Sequence, residues 1–188
     1  MAKRIAIFAS GSGSNAENII IHFAASQEFN FPLIITDNKN AYVIERARRL
    51  GVRSVIFDLK KNNEWELLRD LLTTECIDHV ILAGFLLKVP KIILELFPNK
   101  IINIHPALLP KFGGKGMYGD RVHRAVRTAN ETESGITIHY VTENYDEGNI
   151  VFQAKCAIKP DDAAEDIAQK VHLLEYEWFP KIIAKIWG

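Results

Sequence analysis

Short apolar runs alternate with helix-like stretches along the first hundred residues of the chain. A run with no polar residue between its apolar ones, such as Val80–Ala83, is typical of a strand that is buried on both faces. Strands that alternate with helices predict parallel βαβ units. The predicted strands are Ile5–Ala9, Pro32–Thr36, Ser54–Phe57, His79–Ala83 and Ile101–His105, and the predicted helices include Tyr42–Leu50, Trp65–Glu75 and Lys91–Phe97.

These units predict an α/β fold built on an open, doubly wound, mostly parallel sheet. The pattern changes beyond residue 130, where Gly135–Val141 and Ile150–Ile158 are typical of two further strands joined by a polar turn. Because the two runs follow each other directly, we expect them to pair antiparallel.

The last part of the chain, Ala163–Trp187, has apolar residues at helical spacing. It predicts a long C-terminal helix with Asp161 or Asp162 as its N-cap and with Pro180 interrupting it. A length of 188 residues without a linker or repeat predicts one domain with a single functional site.

Charge and cysteine content narrow the class of protein. Lys plus Arg equals Asp plus Glu at 23 each, which argues against nucleic acid or an anionic membrane as a partner. The first apolar run is too short for a signal peptide or a membrane span.

Cys76 and Cys156 have neither metal-ligand spacing nor partners for a disulfide framework, so we expect two buried thiols in a reduced, cytoplasmic protein. The six histidines show no paired ligand spacing, and we expect no metal.

A glycine-rich and serine-rich segment, Ser10–Asn15, lies between the first predicted strand and a helix. Glycine lets a ligand approach the backbone closely, and the N-terminal amides of a helix face an anion. The segment therefore predicts a phosphate site. A tight turn with a serine cap needs the same residue types and is the alternative.

A second polar cluster ends the fifth predicted strand. Asn103 and His105 are two residues apart, so their side chains share one face of the strand, and Pro106 favours an extended backbone at His105. An amide and an imidazole side by side are suited to stabilising the oxyanion of a tetrahedral intermediate. A purely structural histidine is the alternative.

An acidic residue that could act with this pair is Asp146, in the polar turn Glu143–Gly148. A carboxylate beside an imidazole favours its charged form and holds its orientation. An ordinary solvated turn is the alternative, and the histidines at positions 79, 123, 139 and 172 dilute the signal from His105.

Four motifs together carry a family resemblance: Ser10–Asn15, Leu82–Phe85, Asn103–Pro110, and Asp146–Gly148 after His139–Val141. With them the chain resembles the phosphoribosylglycinamide formyltransferases, folate-dependent enzymes of purine biosynthesis, over essentially its whole length. The resemblance implies a Rossmann-like formyltransferase fold, with a phosphate-binding half at 1–100 and a folate-binding and catalytic half at 101–188. It also implies 10-formyltetrahydrofolate as co-substrate, no metal, and a monomer or homodimer.

The same resemblance assigns the site residues. Asn103, His105 and Asp146 are the expected catalytic trio. The expected ligand contacts are Gly13, Ser14 and Asn15 for the acceptor's phosphate, Glu175 for its glycinamide end, and Leu86, Leu87, Lys88, Val89 and Asn103 for the folate. His172 lies three residues before Glu175, so both are expected on one helix face.

The chain departs from the family pattern in two places. The region Asn63–Glu66 has no arginine where bacterial relatives carry one that helps bind the folate. The stretch Lys111–Gly119 is longer and richer in glycine, and is either a mobile flap or a longer turn.

Three rival functions are weighed against this hypothesis. A formyltetrahydrofolate hydrolase and a methionyl-tRNA formyltransferase share the central motif, but each brings a further domain for which 188 residues leave no room. A non-catalytic nucleotide-binding module would use an acidic residue after the second strand to hold a ribose, and Asp37 lies near that place. This last alternative leaves the Asn103, His105 and Asp146 cluster unexplained.

Overall fold

The structure is a computed structural model that describes residues 2–188, without the side chain of Asn62. Strands and helices alternate along most of it. The strands are β1 (Lys3–Phe8), β2 (Phe29–Thr36), β3 (Arg53–Ile56), β4 (His79–Leu82), β5 (Ile101–His105), β6 (Glu133–Tyr140) and β7 (Ile150–Ala157). The helices are α1 (Ser14–His22), α2 (Val43–Leu50), α3 (Asn62–Thr74), α4 (Lys91–Leu94), α5 (Asp120–Thr128) and α6 (Ala164–Trp187).

The strands form one sheet in the order β3-β2-β1-β4-β5-β6-β7. Strand β1 pairs parallel with β2 on one side and with β4 on the other, and β2 pairs parallel with β3. Strands β6 and β7 pair antiparallel. The predicted mostly parallel sheet, with an antiparallel strand pair and a long helix at the C-terminal end, is confirmed.

The chain divides into two compact units, one ending at Ile102 and the other beginning at Asn103. In the first, most side chains of β1 and β2 are buried, and Ile5, Phe8 and Ile34 are fully so. In the second, α6 packs on α5, β6 and β7. Its buried side chains, among them Ile167 and Phe179, form that unit's core.

Strand β2 is longer than predicted because it continues through a proline. The register between β1 and β2 shifts between Arg4 and Ala6, so that Arg4 pairs with Asn30 and Ala6 with Leu33. Two residues of β2, one of them Pro32, therefore lie opposite one residue of β1. A bulge of this kind tolerates proline, which has no N–H to donate to the neighbouring strand.

Two details predicted for the last helix are wrong. The N-cap is Ala163, whose N–H donates to Asp166, whereas the carboxylate of Asp162 accepts the N–H of Lys159 and pairs with Lys170. Pro180 does not interrupt α6, which runs through it to Trp187. Pro180 is buried with its neighbours, so packing outweighs the loss of one backbone hydrogen bond.

The two cysteines are also more accessible than expected. Cys76 is exposed and Cys156 is half-buried, and both are free. Cys76 has a φ of 48° in the turn after α3, which places it outside the packed elements. Between residues 2 and 188, the structure has no helix long and apolar enough to span a membrane.

Candidate active site

Ser10 joins the chain segments that follow β1, β2 and β4. Its Oγ donates to Asp37 at 2.5 Å and accepts the N–H of Leu86 at 3.0 Å, while its own N–H donates to the carbonyl of Gly84. The carboxyl ends of β1 and β4 are where the strand order changes direction, and ligands of open α/β sheets bind at such points. The carboxylate of Asp37 is thus held against Ser10 through Oδ1.

The loop after β1 leads directly into α1 through Gly13, which has a φ of 73°. A Cβ at Gly13 would lie 2.9 Å from the Cα of Val43, so only glycine fits. No side chain of the N-cap residue occupies the first N–H groups of the nine-residue helix α1. These groups can therefore donate to an anion, as predicted for Ser14 and Asn15.

Helix α2 holds this loop from the other side. Arg46 donates from Nε to the carbonyl of Ser12 at 2.9 Å and pairs through its guanidinium with Glu17 of α1. The N–H of Val43 donates to the carbonyl of Gly11. Arg46 was not predicted to be a site residue. Its only signal in the sequence is its place one turn into the predicted helix Tyr42–Leu50.

The residues predicted to contact folate follow β4. Leu86 is 44% exposed and Lys88 is also exposed, so both side chains are accessible to a ligand. Leu87 is half-buried. Val89 is only 3% exposed and belongs to the core of the first unit, so its side chain is not available to a ligand.

At the end of β5, His105 is buried against the loop that follows it. Its side chain is 4% exposed, and its Nε2–H donates to the carbonyl of Phe112 at 2.8 Å. Its Nδ1 lies 3.6 Å from Oδ2 of Asp146, so the structure brings together the imidazole and the carboxylate predicted to act as a pair.

Asp146 is held by the segment that follows His105. Its Oδ2 accepts the N–H of Gly114 at 2.9 Å, and its side chain is 11% exposed. The glycine-rich stretch Lys111–Gly119 is therefore folded over His105 and Asp146. Both Phe112 and Asp146 have positive φ values, 56° and 57°, and backbone strain of this kind concentrates at functional sites.

Burial and charge act on His105 in opposite directions. Burial lowers the pKa of the imidazole, and Asp146 raises it without cancelling that effect, so the pKa lies below its ordinary value. Burial raises the pKa of Asp146, but the neighbouring imidazoles and the Gly114 N–H hold it below its ordinary value. Without substrates, the pair consists of a neutral imidazole and a carboxylate near pH 7.

His139 of β6 also belongs to this cluster, although it was not predicted to be a site residue. Its Nε2 lies 3.1 Å from Nδ2 of Asn103 and 3.5 Å from Oδ1 of Asp146. His139 is 2% exposed, and its Nδ1 contacts the carbonyl of Tyr140 at 2.9 Å. The strand register places His139 next to the predicted trio, which no spacing in the sequence could reveal.

Glu175 of α6 is a further acid of this unit that is buried, with 4% of its surface exposed. Its Oε2 lies 2.7 Å from Nδ1 of His172, so the expected pairing on one helix face is confirmed. This hydrogen bond raises the pKa of His172. Over residues 2–188, no group of three or more His, Cys, Asp or Glu side chains could hold a metal ion.

An amide donor, an imidazole and a carboxylate close to one another can stabilise an anionic tetrahedral intermediate. The family profile described as formyl transferase matches residues 3–183. The chain therefore belongs to the formyl transferase family.

Relatives within this family are similar over nearly the whole chain. The phosphoribosylglycinamide formyltransferase of Bacillus subtilis is 35% identical over 99% of this chain and 95% of its own length. The chloroplastic enzyme of that name from Arabidopsis thaliana is 36% identical over 98% of this chain, which spans 65% of the plant protein. The crystal structure of the phosphoribosylglycinamide formyltransferase from Bacillus halodurans superposes with a TM-score of 0.89, at 35% identity, covering 98% of this chain and 95% of that one.

Proposed function

We propose that this chain transfers the formyl group of 10-formyltetrahydrofolate to the primary amine of 5-phosphoribosylglycinamide, as a step of purine biosynthesis in the cytoplasm. Its partners are these two small molecules, and it needs neither a metal nor nucleic acid nor a membrane. The names of the relatives from Bacillus subtilis and Arabidopsis thaliana support the acceptor.

The acceptor binds through both of its ends. The N–H groups at Gly13, Ser14 and Asn15 hold its phosphate, since the start of α1 offers donors with a favourable dipole. The carboxylate of Glu175 contacts the glycinamide end, and its hydrogen bond to His172 fixes its direction.

The folate binds along the segment after β4. Leu86 and Leu87 offer apolar surface to its ring system, and Lys88 offers a cation to a carboxylate of its tail. The core residue Val89 contributes through its backbone. Asn103 contacts the formyl group itself, as the amide that faces the reacting carbon.

The reaction is a direct attack of the acceptor's neutral amine on the formyl carbon. A bond forms between the amine nitrogen and this carbon, and the carbonyl electrons move to the oxygen. Asn103 donates an N–H to the oxyanion, and the protonated ring of His105 stabilises it through its charge. The bond to N10 of the folate then breaks, N10 gains a proton, and the amine nitrogen loses one.

His105 becomes cationic only as the oxyanion develops. Burial keeps it neutral in the free protein, whereas a new negative charge beside it raises the pKa of the imidazole. Asp146 favours the same protonated form from the other side of the ring. The pair thus supplies positive charge where the transition state needs it.

The observation that carries this proposal is the cluster of Asn103, His105 and Asp146 within one compact unit of a formyl transferase. A non-catalytic module gives no reason to bury a histidine next to a carboxylate. Asp37, the residue that such a module would use for a ribose, is bonded to Ser10.

The proposal is tested by mixing purified protein with 10-formyl-5,8-dideazafolate and following absorbance with and without phosphoribosylglycinamide. We expect loss of the formyl group only when the acceptor is present. Loss without acceptor would indicate a hydrolase. No loss in either case would favour a binding module.

A further inference from the structure

The contacts of His139 define its tautomer. Its Nδ1 lies 2.9 Å from the backbone carbonyl of Tyr140, which can only accept, so Nδ1 carries the proton. Its Nε2 lies 3.1 Å from the amide nitrogen of Asn103, which can only donate, so Nε2 offers its lone pair. Only a neutral ring satisfies both contacts.

The same contact fixes the amide of Asn103. Its Nδ2 faces His139, and one of the two N–H bonds is used there. The other N–H has no acceptor within residues 2–188 and points away from His139. An amide that is free to rotate by 180° would place its oxygen where this donor lies, and a carbonyl oxygen repels an oxyanion.

Each oxygen of the Asp146 carboxylate faces a different histidine. The contact of Nε2 with the amide of Asn103, at 3.1 Å, is shorter than its 3.5 Å distance from Oδ1 of Asp146. The other carboxylate oxygen, Oδ2, is the one that faces His105 at 3.6 Å. The two histidines around Asp146 therefore have different tasks.

We propose that His139 is a positioning residue for formyl transfer, because its Nε2 lone pair holds the amide of Asn103 with an N–H toward the oxyanion. This inference rests on the proposed function for its kinetic consequence. The arrangement of the ring and the amide does not depend on the substrate.

A pair of variants separates the two ring nitrogens. In His139→Gln, the side-chain oxygen lies near the position of Nε2 and can accept from Asn103. In His139→Asn, the shorter amide keeps a donor for Tyr140 but cannot reach Asn103. We expect kcat of the Asn variant to fall about 10-fold or more, toward the roughly 10²–10³-fold typical of one lost oxyanion donor.

The remaining kinetic constants separate positioning from general damage. We expect kcat of the Gln variant to stay within about 5-fold of the wild type, and KM for both substrates to change less than about 3-fold in either variant, because the lost contact acts in the transition state. Equal losses in the two variants, or a rise in KM alone, would overturn the proposal.

A double-mutant cycle with Asn103→Ala tests whether His139 acts through Asn103. We expect His139→Asn to lower kcat by less than about 2-fold in that background, since residues acting as a unit are not additive. A full additional loss would overturn the proposal. The proposal would also be overturned if His139→Asn were additive with Asn103→Ala but not with Asp146→Asn, because His139 would then act through Asp146.

Nitrogen NMR of the histidine rings tests the arrangement without any activity. We expect the His139 ring to carry its proton on Nδ1, with Nε2 unprotonated. In the Asn103→Ala variant we expect the chemical shift of Nε2 to change, because its contact with the amide is lost. A doubly protonated ring would overturn the proposal. If the wild type transfers no formyl group, the proposed function fails while this spectrum still decides the role of the ring.

Discussion

His105 is buried beside a carboxylate, and these two surroundings change the pKa of its imidazole in opposite directions. Burial is the stronger effect, so the pKa lies below its ordinary value, whereas Asp146 raises it. His139 lowers it and Glu175 raises it through weaker charge effects. Asp146 is therefore the main group that favours the protonated form.

Replacing Asp146 by Asn should lower the pKa of His105 further. The amide removes the negative charge 3.6 Å from Nδ1 but keeps the size of the side chain. Proton NMR titration of the His105 ring measures the pKa in both proteins. An unchanged or higher pKa in the variant would contradict the role given to Asp146, and His172, which pairs with Glu175 instead, is the internal control.

At the scale of single residues, the sequence revealed types and spacing but not neighbours across strands. Asn103 and His105 share a face because they are two residues apart, which was predictable. His139 joins them through the β6 register, and Ser10 binds Asp37 across 27 positions of sequence. Contacts of this kind depend on the folded sheet, so the sequence alone could not predict them.

The start of α1 is an element whose geometry depends on one glycine. Gly13 has a φ of 73° and no room for a Cβ next to Val43. Gly13→Ala should raise KM for the acceptor at least about 10-fold and destabilise the protein by about 1–2 kcal/mol. An alanine at this position must either change the backbone conformation or adopt a strained left-handed one. Steady-state kinetics and thermal unfolding measure the two effects.

Gly11→Ala is the control for stability in this loop. Nothing lies within 4 Å of a Cβ built at Gly11. We expect its free energy of unfolding to stay within about 0.5 kcal/mol of the wild type. Equal destabilisation by both substitutions would contradict the account of Gly13.

Strand β6 holds the segment after β5 in place through Thr137. Its buried Oγ1 donates to the carbonyl of Ala107 at 2.7 Å and accepts from the N–H of Leu109 at 3.0 Å and from Gln153 at 2.8 Å. Thr137→Val removes the partner of the Ala107 carbonyl and of the Leu109 N–H, so the free energy of unfolding should fall by about 1–3 kcal/mol. Chemical denaturation measures this difference.

Thr142→Val is the matched control for that substitution. Thr142 is exposed and makes only local contacts to Asn144. We expect its effect to stay below about 0.5 kcal/mol. If the two valine variants unfold alike, the hydrogen bonds of Thr137 do not stabilise the segment.

At the scale of elements, the sequence predicted which segments are strands and helices better than where they end. The periodicity of apolar residues indicates which residues of a segment are buried. It does not indicate whether a strand contains a bulge. Pro32 lies within β2 at a bulge, and packing keeps Pro180 inside α6. In both places tertiary contacts outweigh a local preference.

For the whole molecule, acid should lower stability because the folded structure holds the pKa of several histidines below its ordinary value. Burial, and after it Lys100, lower the pKa of His79 to about 4, and burial also lowers the pKa of His105 and His123. Between about pH 6.5 and pH 4 the unfolded chain therefore binds more protons than the folded one. Stability rises with pH in this window and is lost as pH falls through it.

We expect Tm to fall by several degrees from pH 7.5 to pH 4.5 and His79→Gln to reduce this fall. Differential scanning calorimetry at both pH values measures it. His22→Gln is the control, since His22 is exposed on α1. An equal fall in the wild type and the His79 variant would contradict the contribution of His79.

The fold of the whole chain follows from alternating apolar runs, and its family follows from four motifs spread over both units. The separate positions of these motifs in sequence gave no distances between side chains. The charge state of His105 was also beyond the sequence, because it depends on burial. The sequence suggested a histidine kept charged by Asp146, whereas the structure places a neutral ring there in the absence of substrates.

We propose that the Asn103, His105 and Asp146 cluster carries out acceptor-dependent formyl transfer. Single-turnover transfer of a ¹³C-labelled formyl group, followed by mass spectrometry of phosphoribosylglycinamide, tests it most directly in the wild type and in His105→Ala. With the wild type we expect the label on the acceptor amine. With the variant we expect a rate at least about 10²-fold lower, while acceptor binding is retained. Label released as formate without acceptor, or an unchanged rate in the variant, would contradict the claim.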